Sequence, residues 1–81
     1  MHLSILTIEK SLFDGNVKEI IARTSAGEIT ILPQHIPLIS KLESGNLRII
    51  DENDKKHEFM ISSGFLEIQP ESKIVVLVDA V

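Results

Sequence analysis

Eighty-one residues carry a formal net charge of −4, three Phe, no Trp or Tyr and no Cys. A chain this short folds as one small domain that removes roughly 60–65% of its unfolded surface from water, so its core is thin and its stability margin narrow. The acidic balance, basic residues scattered except for Lys55-Lys56, and the lack of an aromatic stacking platform exclude nucleic acid as the main partner.

The absence of cysteine fits a reducing compartment, because small secreted domains usually rely on disulfides. The first dozen residues have no basic n-region and no cleavage site, and no signal peptide is expected. The longest uncharged run, 29–40, holds two prolines and is far short of the about 20 apolar residues a spanning helix needs. The chain is expected to be soluble.

In chain order the pattern reads as β throughout, with Ile, Leu and Val clusters at short spacing between turn signals. The first expected strand, 3–9, sets Leu3, Ile5, Leu6 and Ile8 on both faces, where a strand with one wet face would alternate. Asp14-Gly15-Asn16 is expected to turn the chain into a strand over 17–24, where the β-branched Val17, Ile20, Ile21 and Thr24 outweigh a weak helical periodicity. Ala26-Gly27 then leads into 28–32, where Ile29-Thr30-Ile31 alternates.

The next segment is a loop held between Pro33 and Pro37. Each proline removes a backbone donor, fixes φ near −65° and pushes the preceding residue, Leu32 or Ile36, toward extended geometry. His35 lies near the tip of this stiff loop, and Ile36 and Leu38 are apolar where a solvated loop would be polar. A rigid, partly apolar rim loop is a docking device more often than a catalytic one.

Strands are then expected over 38–42, 47–51, 57–61, 66–69 and 73–78. They are divided by Ser44-Gly45-Asn46, by the acidic tip Glu52-Asn53-Asp54, by Ser63-Gly64 and by Pro70-Glu71-Ser72. The last strand, Ile74-Val75-Val76-Leu77-Val78, is apolar on both faces. A central place in a sandwich explains part of this, but in so small a domain some two-sided apolar strand is expected to stay exposed until a partner covers it. The fold expected is all-β, a small sandwich forming a single domain over 1–81, with no linker, low-complexity tract or internal repeat.

Catalytic chemistry finds little support in the residues. His2, His35 and His57 could in principle serve a small metal-dependent enzyme, but they lie far apart without cysteine or a His-x-x-x-His pair, and surface or capping roles suit them better. Gly45 and Gly64 are isolated rather than part of a phosphate loop, and Ser62-Ser63-Gly64 is not a nucleophile elbow. The run Asp51-Glu52-Asn53-Asp54 lacks the spacing of a calcium loop and reads as a solvated hairpin tip. No catalytic residue, metal or cofactor is expected. Glu28, after a glycine turn, is either a solvated carboxylate or an ionic contact for a basic partner loop. On the residues alone, an adaptor binding a protein partner through a sheet edge remains open.

Five segments, in order and over almost the whole chain, resemble one family. Leu12-Phe13-Asp14-Gly15-Asn16-Val17 looks like its L-F-x-G-x-V turn, and Gly27-Glu28-Ile29-Thr30-Ile31-Leu32-Pro33-Gln34-His35-Ile36-Pro37-Leu38 like its signature G-E-x-x-I-x-P-x-H-x-P-L. Leu42 to Leu47, with Gly45, is similar to L-x-x-G-x-[LI]. Ile61-Ser62-Ser63-Gly64-Phe65-Leu66-Glu67-Ile68 is similar to the strand pair S-G-G-F-x-E-[VI], and Leu77-Val78-Asp79-Ala80 to the close of V-x-V-L-A-D-x-A. The family is the N-terminal domain of the epsilon subunit of bacterial F-type ATP synthase, called delta in mitochondria. Gln34 stands where glycine is usual, and Ser63 replaces the first glycine of a pair.

The resemblance implies a β-sandwich of about ten short strands and a mechanical, non-catalytic rotor role. Such a domain sits at the foot of the central stalk, monomeric in isolation, bound to the gamma subunit and to the polar loops of the membrane c-ring. It helps both turn as one body and so couples ion translocation to ATP synthesis. Gly27 and Glu28 are implied at the c-ring contact, and His35, Ile36, Leu38 and Ser40 at the gamma interface. The implied location is the cytoplasmic face of the bacterial inner membrane, as a peripheral protein that meets the membrane only through the complex. Relatives commonly continue into a C-terminal helical hairpin that can inhibit ATP hydrolysis and in some bacteria binds ATP. The sequence ends at Val81 without it, so neither activity is expected.

Overall fold

The computed structural model describes residues 1–34 and 36–80, with the backbone alone at position 80. Seven strands follow in chain order: β1 His2–Leu6, β2 Ser11–Thr24, β3 Gly27–Ile31, β4 Leu38–Leu42, β5 Gly45–Asp51, β6 Lys56–Gln69 and β7 Lys73–Ala80. A single 3₁₀ turn, Pro70–Ser72, joins β6 to β7, with Glu71 and Ser72 at positive φ. The chain is all-β, as its pattern predicts.

The strands are fewer and longer than expected, because two of the expected turns are strand. Asp14-Gly15-Asn16 lies inside the 14-residue β2, and Ser63-Gly64 inside the 14-residue β6. Both stretches lie beside register irregularities, between Val17 and Glu19 and between Ile61 and Ser63. An irregularity of this kind bends a strand and increases its twist, which lets one strand serve two layers. The first half of β2 pairs β1, and its second half pairs β3 and β5. Likewise β6 pairs β5 through its first half, β4 through its second, and β7 from Ile61 onward. Conversely, the first strand ends at Leu6 rather than 9, and a turn follows in which Thr7 Oγ1 accepts from Glu9 and Lys10 N–H.

The path β1-β7-β6-β5-β2 closes on itself because β1 also pairs β2. The contact between β1 and β7 is parallel, Leu3 opposite Ile74 and Leu6 opposite Leu77. Closure removes edges. Among the described residues, β3 and β4 are left with a single strand neighbour each, β2 and β6. The loop bounded by Pro33 and Pro37 joins these two edges.

One core lies between the layers, built from side chains that alternate inward. It includes Leu3, Ile5, Val17, Ile20, Ala22, Ile31, Leu42, Leu47, Ile49, Leu66, Ile74 and Val76, all at most 2% exposed. Each buried Leu, Ile or Val of this kind stabilises the fold by about 1.5–3 kcal/mol against exposure. No side-chain polar or charged residue is buried among the described residues.

Candidate docking faces

The outer faces of the two layers differ. Over β3, the second half of β2, β5 and the first half of β6, the outward residues are largely charged. Arg23 faces Glu28, Arg48 faces Glu58, and Ile50 lies between Glu19 and Lys56. Gly27 opens β3 at φ +113°, a conformation that suits glycine, and delivers Glu28 to the rim of this face. The Glu28 carboxylate accepts from Arg48 Nη2 at 2.6 Å, and both side chains are partly exposed.

Over β4, the second half of β6, β7 and β1, an apolar strip of Ile39, Phe65, Val75, Leu77 and Leu6 runs among outward polar and charged residues that include Lys41, Glu67, Lys73 and Asp79. Phe65 on β6 sits opposite Leu77 on β7, which sits opposite Leu6 on β1. Phe65 is 57% exposed and Leu77 53% exposed, without a covering element. Ile39 on β4 is 71% exposed and shares a shallow cleft with Phe65, Glu67, Val75 and Leu77. A second cleft runs from Phe65 and Leu77 past Leu6 to Ile8, the tip of the β1–β2 turn and 98% exposed. The two-sided apolar pattern of the first and last strands is thereby divided. Leu3, Ile5, Ile74, Val76 and Val78 fill the core, while Leu6, Val75 and Leu77 line an open face.

The residues singled out in the sequence do not form one site. Gly27 and Glu28 lie on the charged face. Leu38 and Ser40 lie on β4 in register with the buried Ile68 and Leu66, so they point to the inner side of the sheet edge. Leu38 is only 37% exposed. Ile36 is exposed in the loop before β4, and His35 lies outside the described residues. Of the apolar patch, Leu6 and Leu77 belong to strands read as two-sided from the sequence, while Ile39 and Phe65 were missed. Their signal was the adjacency of Leu38 and Ile39, and of Phe65 and Leu66, which forces one large apolar side chain of each pair outward.

The remaining histidines are taken up by carboxylates. His2 Nε2 lies 2.8 Å from Asp14 Oδ1, and His57 Nε2 lies 2.9 Å from Asp51 Oδ2. The His57 ring also meets Phe13 edge-on. Asp51 closes the β5–β6 hairpin by accepting from the N–H groups of Asn53 and Lys55 through Oδ1. The hydrogen bond from His57 and those backbone donors hold its carboxyl below the usual carboxylate range.

A closed sheet wrapped around one apolar core defines a small β-sandwich. The chain belongs to the family of ATP synthase delta/epsilon chain β-sandwich domains, whose model matches residues 1–81. It is 38% identical over 79 residues to the ATP synthase epsilon chain of Alkalilimnicola ehrlichii, covering 98% of this chain and 56% of that protein. Epsilon chains of Bordetella parapertussis and Bordetella bronchiseptica are 34% identical over the same shares. The chain thus spans about half the length of the curated relatives it matches.

Among solved structures, it superposes with a TM-score of 0.89 on a chain of the Euglena gracilis mitochondrial ATP synthase OSCP/F1/c-ring structure. That match has 26% identity and covers 98% of this chain and 51% of the other. A chain of the Tetrahymena thermophila mitochondrial ATP synthase central stalk and c-ring gives 0.81 at 19% identity, over 98% of this chain and 63% of that one, a likeness of fold alone. The resemblance carried by the five sequence segments is therefore one of family.

Proposed function

We propose that this sandwich is the docking domain of a non-catalytic central-stalk subunit of an F-type ATP synthase. It grips the gamma subunit on one side and the polar loops of the c-ring on another, and so couples ion translocation to ATP synthesis. The observation that carries this reading is the pairing of family membership with a charged outer face on one layer and an exposed apolar patch on the other. One rigid body can hold two partners at once only if their sites do not overlap, and on this reading the two sites use different layers.

The apolar face of Ile39, Phe65 and Leu77 suits gamma, because desolvating large side chains supplies affinity at about 25 cal/mol per Å² of apolar area. Ile36, Leu38 and Ser40 extend that contact around the β4 edge, with His35 in the loop that leads to it. The charged face at Gly27 and Glu28 suits polar loops. A single exposed ion pair there contributes about 0–1 kcal/mol, enough to set register but not to hold the complex. The domain works without metal or cofactor, is a monomer in isolation, and resides at the cytoplasmic face of the bacterial inner membrane through the complex alone.

The test is a pair of single substitutions read against two partners. Leu38→Asp weakens binding to isolated gamma, and unchanged affinity removes Leu38 from the interface. Glu28→Lys weakens association with the c-ring while leaving gamma binding and the melting transition intact. Loss of the cooperative melt in that variant assigns Glu28 a structural role instead.

A further inference from the structure

We infer that Arg48 is a positioning residue for Glu28, holding the carboxylate in one orientation for a basic group on the partner loop. The inference rests on the reading of Glu28 as the ring contact.

The pairing itself is the first reason. The cross-strand neighbour of Glu28 is Arg23 on β2, yet the carboxylate reaches past β2 to Arg48 on β5. At 2.6 Å the Nη2–H···Oε2 bond is short, as charge-assisted bonds are. Second, Arg48 stands in register between Ile21 and Glu58 and lines one cleft with Arg23, Glu28, Gly45, Asn46 and Glu58. A planar guanidinium held by such a ladder aims its donors, which a flexible ammonium does not.

Third, the clamp leaves capacity. Only Oε2 of Glu28 is engaged, and among the described residues Oε1 has no hydrogen-bond donor and Arg23 no ion pair. The rim therefore offers a fixed acceptor at Glu28 and a free cation at Arg23. The complementary partner is a polar loop that brings a basic side chain to the first and a carboxylate or carbonyl to the second. A glutamate at the start of an edge strand would otherwise lose its rotamer freedom on docking. Arg48 makes that loss a part of folding, so the contact forms at lower cost.

The experiment measures binding of the chain to the cognate gamma–c-ring assembly in detergent, and to gamma alone, for wild type, Glu28→Gln, Arg48→Met, the double variant and Arg48→Lys. Melting of each variant is recorded alongside. Glu28→Gln is expected to weaken binding to the assembly by about two- to fivefold, the scale of one exposed ion pair. Arg48→Met weakens it similarly, the double variant no further, and Arg48→Lys recovers part of the loss. These differences vanish at about 0.5 M salt, and gamma binding and melting stay at wild-type values.

Arg48→Met binding as wild type, or more tightly, overturns the inference. In the second case Arg48 competes with the partner for Glu28. A double variant that loses the product of the two single effects also overturns it, because Arg48 then meets the partner independently. Wild-type binding by Glu28→Gln instead overturns the ring-contact reading, and the positioning role with it.

Discussion

Gly64 is buried where β6 passes between layers, and the family resemblance marks it only as the second of a glycine pair. A Cβ at this position would lie 2.5 Å from the Leu77 carbonyl oxygen and 3.1 Å from Val78 Cγ1, so β6 and β7 could not keep their spacing. Gly64→Ala is expected to cost about 1–3 kcal/mol, read as a lowered urea midpoint with unchanged slope. Gln34 presents the opposite case. It stands at φ +67° in the loop, where the family carries glycine. An L-residue there bears about 1–2 kcal/mol of strain, against about 0.4–1 kcal/mol for the added freedom of an unfolded glycine. Gln34→Gly is therefore expected to melt at or above the wild type, and a clear drop would show that the Gln34 side chain holds the loop. The sequence identified Gln34 as a departure, but its cost depends on a backbone angle that no single sequence displays.

Asp51 links residue chemistry to pH. Its carboxyl is held low in the folded state, so the charged form is favoured by folding. The contribution is present above the ordinary carboxylate range and is lost as the pH falls through the lower folded-state value. Asp51→Asn is expected to lower the urea midpoint near pH ~7, with the difference from wild type narrowing toward pH ~3. A constant difference across that range would mean that the carboxylate charge is not what is lost, and would place the effect in the geometry of the turn hydrogen bonds.

At the scale of elements, β4 and the hairpin tip were legible and the crossings were not. Leu38–Leu42 was expected at its observed bounds, because Pro37 before it and Ser44-Gly45 after it leave no other span. Asp14-Gly15-Asn16 and Ser63-Gly64 carry turn residues but extend strands, and their polar groups are satisfied by neighbouring strands. Asp14 meets His2, Ser62 Oγ donates to the Asp79 carbonyl, and Ser63 Oγ donates to the Asp79 carboxylate. Local composition marks a bend in the chain. Whether that bend reverses the strand or passes it to the next layer depends on partners distant in sequence. The apolar face was half legible: its strands were identified as two-sided, but Ile39 and Phe65 join them only through the β4–β6 and β6–β7 registers. Phe65→Asp, on an exposed position, is expected to keep the melting transition and to weaken gamma binding by at least tenfold, the loss of about 1.4 kcal/mol or more. Retained affinity would move the gamma contact off this face.

At the scale of the whole molecule, a body of 27 × 24 × 20 Å places an exposed apolar patch and a charged face on separate layers of one closed sheet. Closure leaves few edges to slip, and two prolines restrict the backbone of the segment joining β3 to β4. That arrangement suits a coupling between two rotating partners. Size-exclusion chromatography of this chain mixed with its cognate gamma subunit is the measurement to make. Co-elution as a one-to-one complex is the result expected if the sandwich alone grips gamma. Two folded proteins eluting separately would contradict it, and would leave the apolar face without the partner assigned to it here.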